Sequence, residues 1–349
     1  MHSSEIRKEI ENRESKYLAV YGTLSKRSKG RVFIEEPDPI RTCFMLDRDR
    51  IIHSKSFRRL KHKSQVFIAP VGDHFRTRLT HTLEVNQIAR TIGAGLNLNL
   101  DLIEAIALGH DVGHTPFAHA GEEMLDQLLK NGFKHNHNSI RVLTKVEQHR
   151  NGKGLNLTRE VIDGVLNHSG YGDQSSDAAS LEGQAVKISD KIAYVQHDID
   201  DAIRAGLLHM EEIPASCLEV LGHTHSQRIA RLVTSTIDYT VKQLSETACT
   251  RVEPAPEVNR ALIKLRQFMF EKVYHGKHCQ AEREKAMFIV ERLFRYYNTC
   301  PEQMSPLYLR IAEEEGMERA VADYISGMSD AYCIQLFTKL YIPHTGKWD

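Results

Sequence analysis

The sequence predicts an all-α protein with one core lobe and a helical C-terminal extension, on three observations. Strand patterns are scarce along the whole 349-residue chain. Apolar residues recur at helical spacing from Thr77 onward, most plainly after Leu207. One stretch, AIALGHDVGHTPFAHAGEE from Ala105 to Glu123, reads as a buried helix that ends in a polar turn.

In chain order, residues 1–40 read as a helical arm followed by a loop, with turn chemistry in EEPDPIR. RTCFMLDRDRIIHSKSFRRLKHKSQVF follows, dense in arginine and lysine. A solvated basic helix, a nucleic-acid patch and a wall that collects phosphates all fit it. VFIAPVGDHF, with Pro70 and Gly72, reads as a short extended segment and turn. The next helix runs from Thr77 to about Leu96, with Arg78 and His81 at i and i+3 on one face.

The helix through Leu102, Ile106 and Leu108 starts at the polar Asn99 to Asp101 and ends in His110 and Asp111. Pro116 disfavours helix at Thr115, so another helix opens near Phe117 and runs through Leu129. Along it His119 and Glu122 form an i, i+3 pair of acid–base type, which a surface histidine near a surface acid would also produce. GFKHNHNSIRVLTKVE reads as a turn into a helix, and HRNGKGLN as a loop. Thr158 is a candidate cap for REVIDGVLNH, and SGYGDQSSDAAS is a flexible loop and candidate lid. LEGQAVKISDKIAYVQHDIDDAIRAG is amphipathic and sets Asp190 among apolar neighbours. Beyond Leu207 only amphipathic helices are evident, with no repeat of fixed period. The expected division is an arm at 1–40, a core at 41–205 and an extension at 206–349.

Basic and acidic side chains balance at 46 each, which argues against a chain built chiefly to coat nucleic acid. The charged start MHSSEIRKEIENRESKYLAV has no apolar core of a secretory signal, and no run is long enough to cross a bilayer. The 6 cysteines lack CxxC spacing and read as reduced thiols, so the expected compartment is the cytoplasm.

The chemistry gathers on histidines and acids that helix formation does not need. A buried helix ending in His110–Asp111 leaves a carboxylate in an apolar setting, which is costly without a cation. A capping aspartate beside a satisfied core histidine is the bland alternative, and the three further histidines His114, His119 and His135 weigh against it. Asp190 is the best candidate for a further ligand. His81, His110, Asp111 and Asp190 then supply two imidazoles and two carboxylates from three helices. That set suits one divalent ion, Mn, Mg, Fe, Co, Ni or Zn, with positions open to water or phosphate oxygen. Arg58, Arg59, Lys61, Arg78 and Lys191 suggest an anionic substrate. Spacing alone thus points to a metal-assisted phosphohydrolase.

The pattern H…HD…D resembles the HD-domain metal-dependent phosphohydrolases. Five ordered strings, DRDRIIHSKSFRRLKHKSQVF, RLTHTLEV, GHDVGHTPFAHAGE, FKHNHNS and LEGQAVKISDKIAYVQHDIDDAI, resemble one branch of them. DYISGMSDAY near the C-terminus is a weaker match. That branch is the deoxynucleoside triphosphate triphosphohydrolases, which include bacterial dGTPase-like enzymes and the vertebrate SAM-domain/HD-domain dNTPase. The resemblance implies a helical HD core and hydrolysis of dNTP between the 5′ oxygen and the α-phosphorus, giving deoxynucleoside and inorganic triphosphate.

It also implies that His81, His110, Asp111 and Asp190 are the metal ligands. His119 matches an in-line catalytic histidine, and Glu122 the acid that orients it. His114 and His135 match histidines around the phosphates. Arg78 matches an arginine on the α-phosphate and Lys191 a lysine on the phosphate tail. Gln65, Tyr194 and Asp198 match residues that hold the deoxyribose. Implied partners are a dNTP, further copies of the chain in a homo-oligomer, and a nucleotide or single-stranded nucleic-acid effector, with no membrane. The rival readings are another HD phosphohydrolase, acting on a nucleoside monophosphate or a pyrophosphate linkage, and a nucleic-acid-binding regulator with a vestigial pocket.

Overall fold

The fold comes from a computed structural model, which describes residues 3–66, 68, 75–148, 154–170, 176–246, 251–274 and 276–343. Most of the expected extended segment at 67–74, the loop residues 149–153 and the middle of the candidate lid, 171–175, lie outside the described residues. The described residues form 16 α-helices and no strand; two isolated β-bridges, Ser64 with Thr77 and Gln148 with Gly154, are the only extended pairings among them. The chain is all-α, as its periodicity predicts.

The first nine helices are α1 (Ser3–Tyr17), α2 (Cys43–Ile52), α3 (Lys55–Arg59), α4 (Arg78–Gly95), α5 (Leu100–Gly109), α6 (Ala118–Leu128), α7 (His135–Arg141), α8 (Arg159–Leu166) and α9 (Leu181–Arg204). Then follow α10 (Ala215–Leu221), α11 (His225–Glu246), α12 (Pro256–Met269), α13 (Lys277–Thr299), α14 (Pro306–Glu315), α15 (Met317–Ser326) and α16 (Asp330–Tyr341).

Local chemistry sets the boundaries that matter for the site. Thr77 caps α4 by accepting from the Thr80 N–H, and Asn99 caps α5 by accepting from Asp101 and Leu102. Ser180 caps α9 in the same way through Gly183. Thr158 occupies the expected position before α8 but its side chain does not cap the helix. Its hydroxyl instead donates to the buried Asp47 carboxylate at 2.7 Å, which also takes the Thr158 N–H at 2.8 Å. A buried carboxylate needs donors more than the helix start needs one acceptor.

Two apolar clusters divide the interior. In the larger, α2, α4, α5, α8 and α9 pack around Val85, Ile88, Ile106, Val165 and Ile192, and residues of α10 to α12, such as Leu262 and Leu265, close one side. Each such side chain, fully withdrawn from water, contributes roughly 1.5–3 kcal/mol. The second joins α13 and α15 to Phe117, Ala120 and Leu125. Helix α6 therefore stands between the clusters: its residues after Pro116 pack on the C-terminal helices, while His119 and Glu122 remain on the side of α4, α5 and α9. No helix among the described residues is long and apolar enough to cross a membrane.

Candidate active site

His110 ends the buried helix α5, and its Nδ1 sits 2.6 Å from the Ala107 carbonyl. That contact makes Nδ1 the protonated nitrogen and leaves Nε2 a bare lone pair. Nε2 is buried with no hydrogen-bond partner, 3.7 Å from Asp111 Oδ2 and 3.9 Å from Asp190 Oδ1. His81, one turn into α4, places Nε2 3.1 Å from the same Asp190 oxygen. A lone pair facing two carboxylates is repulsive unless a cation lies between them. The two imidazoles and two carboxylates, with no thiolate, fit a divalent ion. The His110–Ala107 bond is the kind of outer contact that would fix His110 in the tautomer a metal ligand needs. The structure thus brings His81, His110, Asp111 and Asp190 together from α4, the end of α5 and α9.

Burial works to raise the Asp111 and Asp190 carboxyls, but neighbouring cationic and imidazole groups prevail. Asp111 is held well below its ordinary value by positive charge at His110, the place a bound cation would take, and by Arg78, and Asp190 falls to about 2 through His81 and the same charge. Arg78 Nη1 lies 2.5 Å from Asp111 Oδ2, so the expected phosphate-binding arginine also touches the metal group.

The turn from His110 to Ala118 is pressed against α7. The Gly113 N–H donates to Ser139 Oγ at 3.0 Å, and that hydroxyl donates to the His110 carbonyl at 2.7 Å. A Cβ on Gly113 would fall 2.1 Å from the Ser139 nitrogen, so only glycine permits this approach.

Beside these candidate ligands lies a cluster of four histidines, three of them around Glu122. Glu122 accepts from the His135 backbone N–H at 2.8 Å and from its ring Nδ1 at 2.9 Å. His119 Nδ1 is 3.5 Å and His114 Nε2 3.9 Å from the other carboxylate oxygen. Glu122 is therefore shared, with its closest ring contact to His135. His135 and His114 stack with centroids 4.6 Å apart. The fourth member, His168 at the end of α8, was missed in the sequence. Its Nδ1 lies 2.6 Å from the Val165 carbonyl and its Nε2 3.3 Å from His135 Nε2. With Nδ1–H committed to Val165, His168 Nε2 accepts, and His135 must donate from both nitrogens. Burial pulls His135 down, but Glu122 outweighs it and the net shift is upward. Burial drives His168 down to about 3, the neutral acceptor this arrangement requires. A signal existed: NHSG after an apolar helix echoes GHDVG after α5.

A cavity of about 280 Å³ adjoins both groups, lined among others by Gln65, Arg78, His81, Asp111, His114, His119, His135, Asp190, Lys191 and Tyr194. His119 is its most open histidine, with 57% of the side chain exposed. Tyr194 lies edge-on to His119 at 6.3 Å between centroids. Burial, with Lys187 adding to it, lowers Lys191 to about 8. Arg266 and Phe270 also line the cavity, with the guanidinium 4.4 Å from the ring centroid. Sequence reading missed them because their helix pattern looked like ordinary core packing.

Asp198, one turn beyond Tyr194, is buried and does not line this cavity. It accepts from the hydroxyl of Tyr274, whose ring lies 5.8 Å from Tyr194. Burial pushes its carboxyl up to about 7. A raised carboxyl gives stability that is full below its unfolded value of 3.8 and is lost as pH climbs to about 7. The loss is on the order of 4 kcal/mol. Asp198→Asn keeps an acceptor for Tyr274 without that penalty. Its urea midpoint should exceed that of the parent protein near pH 8 and match or fall below it near pH 4.

Comparison with known proteins follows the same lines. Residues 78–195 match the HD domain and residues 252–339 the phosphohydrolase-associated domain. A deoxyguanosinetriphosphate triphosphohydrolase-like protein of Clostridium tetani is 56% identical over 340 residues, 97% of each chain. A protein of the same description from Caldanaerobacter subterraneus subsp. tengcongensis is 52% identical over 338 residues, covering 97% of this chain and 96% of that one. The fold is similar to that of a phosphohydrolase from Bacteroides thetaiotaomicron, with a TM-score of 0.52 at 17% identity over 85% of this chain and 68% of that one. Near-complete overlap at this level of identity means that the chain belongs to the deoxyguanosinetriphosphate triphosphohydrolase-like family of HD-domain phosphohydrolases.

Proposed function

We propose that the protein hydrolyses deoxynucleoside triphosphates to deoxynucleoside and inorganic triphosphate. The observation that carries this reading is one cavity in which Asp111 and Asp190 of the metal group, the open His119, three cationic side chains and Tyr194 all face the same space. A divalent ion held by His81, His110, Asp111 and Asp190 supplies charge neutralisation and a more acidic water when bound. Arg78 holds the α-phosphate beside that group, and Lys191 and Arg266 take the distal phosphates. Arg and Lys suit these tasks as fork and point charge respectively.

In the reaction, water oxygen joins the α-phosphorus, the bond to the 5′ oxygen breaks, and the departing oxygen takes up a proton. His119 is the proton donor, because it is the exposed imidazole of the cavity, with the Glu122 carboxylate 3.5 Å away to orient it. His135, doubly protonated between Glu122 and His168, adds positive charge near the triphosphate. His114, neutral through burial, packs against it. Gln65 and Tyr194 bound the sugar. Chromatography of products from each dNTP, singly and mixed, with Mn or Mg, tests the reading. Free triphosphate is expected; a nucleoside monophosphate with pyrophosphate would reject it.

Tyr194 supports selection against ribose. A flat ring against C2′ leaves a ribose hydroxyl without room or a hydrogen-bond partner. The parent protein should turn over dGTP well ahead of GTP, and Tyr194→Ala should shrink that ratio by about tenfold or more, the factor for roughly 1.4 kcal/mol. Equal turnover of both nucleotides by the parent, or a ratio unmoved in the variant, would reject the sugar role of Tyr194.

A further inference from the structure

The turn that delivers His119 is held from the far end of the chain. Phe117 and Ala118, just before His119, both adopt left-handed backbone conformations, at φ 60° and 53°. Such a conformation is costly for residues with a Cβ and persists only where its surroundings enforce it.

Five hydrogen bonds and one buried ring enforce it. The Phe117 N–H donates to Asp330 Oδ1 at 2.9 Å across 213 positions of sequence. The other Asp330 oxygen accepts from the Ser64 N–H at 3.0 Å, next to Gln65 of the cavity wall. The buried Lys63 amino group donates to the His114 carbonyl and, at 2.7 Å, to the Ser326 carbonyl. Thr115 Oγ donates to the Ala118 carbonyl at 2.9 Å. The Phe117 ring is buried in the C-terminal cluster with Val290 and Ile325.

Asp330 belongs to DYISGMSDAY, the string the catalytic reading left without a task. As the first residue of α16 it would ordinarily serve only the helix dipole. Here its two oxygens tie two separate walls of the cavity together, and Lys63 repeats the bridge one turn away. We propose that Asp330 is a positioning residue: with Lys63 it makes the C-terminal lobe a clamp that holds the 114–118 turn and so aims His119.

The proposal rests on the reading of His119 as proton donor, and its test has one arm that does not. Asp330→Ala removes both bonds, while Asp330→Asn keeps the shape and one good acceptor. Misplacing a catalytic group by about 1 Å can cost roughly 100-fold. Turnover of dGTP, measured well below each variant's unfolding temperature, should fall by about that factor in kcat for Ala and by about tenfold for Asn. KM and bound metal should stay within about threefold of the parent. Hydrogen exchange should accelerate in peptides spanning 113–121 and remain unchanged over 181–204.

If Asp330→Ala fails to fold, the Asn variant carries both arms. A kcat within twofold of the parent in the folded variants, an effect confined to KM, or unchanged exchange at 113–121 would overturn the clamp. A parent protein that releases no triphosphate from dGTP would sink the catalytic reading instead, and exchange alone would then decide whether Asp330 holds the turn.

Discussion

Asp111→Asn should lower dGTP turnover by 10³-fold or more, a loss on the order of 4 kcal/mol in transition-state stabilisation, and reduce bound divalent metal from one per chain to a small fraction. Asn is the better replacement because the structure pairs Asp111 with the buried Arg78 guanidinium. Alanine would strand that charge, and breaking a buried pair costs roughly 3–5 kcal/mol. An amide still accepts from Arg78, so helical content should be preserved. Metal is read by elemental analysis of the purified protein and folding by far-ultraviolet circular dichroism. Full occupancy in the variant would show that Asp111 is not a ligand.

His119→Ala should cost about 10²–10⁴-fold in kcat, the usual range for a positioned general acid, with metal retained. Glu122→Gln should be comparably damaging, because Glu122 lies against His119, His135 and His114 at once. Burial acts to raise Glu122, yet those imidazoles, His135 foremost, hold it well below the usual carboxylate range, so it stays ionised at any working pH. If the two residues act as a unit, the double variant should be little worse than His119→Ala alone. A double variant that loses the full product of the single effects would separate them. In that event Glu122 serves His135, its closer partner, rather than His119.

Much of this site was legible because its residues contradict their local pattern. His110 and Asp111 stand at the end of an apolar helix, and Asp190 stands on a helix otherwise buried along most of its length. Polar donors at such positions need a reason, and the helical periods already brought His81 and Arg78 to one face. The helix start at Thr77 followed from apolar spacing, those near Asn99 and Pro116 from a polar start and proline chemistry, and the all-α class from the scarcity of strand signals.

The rest depended on contacts that no period encodes. Arg266, Phe270 and Tyr274 follow the amphipathic pattern of α12 and its continuation, so nothing local distinguishes a cavity wall from core. His168 sits beyond a short helix whose packing against α5, α7 and α9 brings it to His135. Thr158 occupies the expected cap position, but the distant Asp47 claims its hydroxyl. Asp330 looks like any acid opening a helix until the fold sets it under Phe117. That α6 packs into the second apolar cluster, with α13 and α15, is something only the tertiary structure reveals.

The most direct test is the fate of solvent oxygen during dGTP hydrolysis in water enriched in ¹⁸O, with products resolved by mass spectrometry. Attack of water on the α-phosphorus gives unlabelled deoxyguanosine and inorganic triphosphate carrying a single ¹⁸O at a terminal phosphorus. Label in the nucleoside, or release of pyrophosphate or orthophosphate in place of triphosphate, would contradict it.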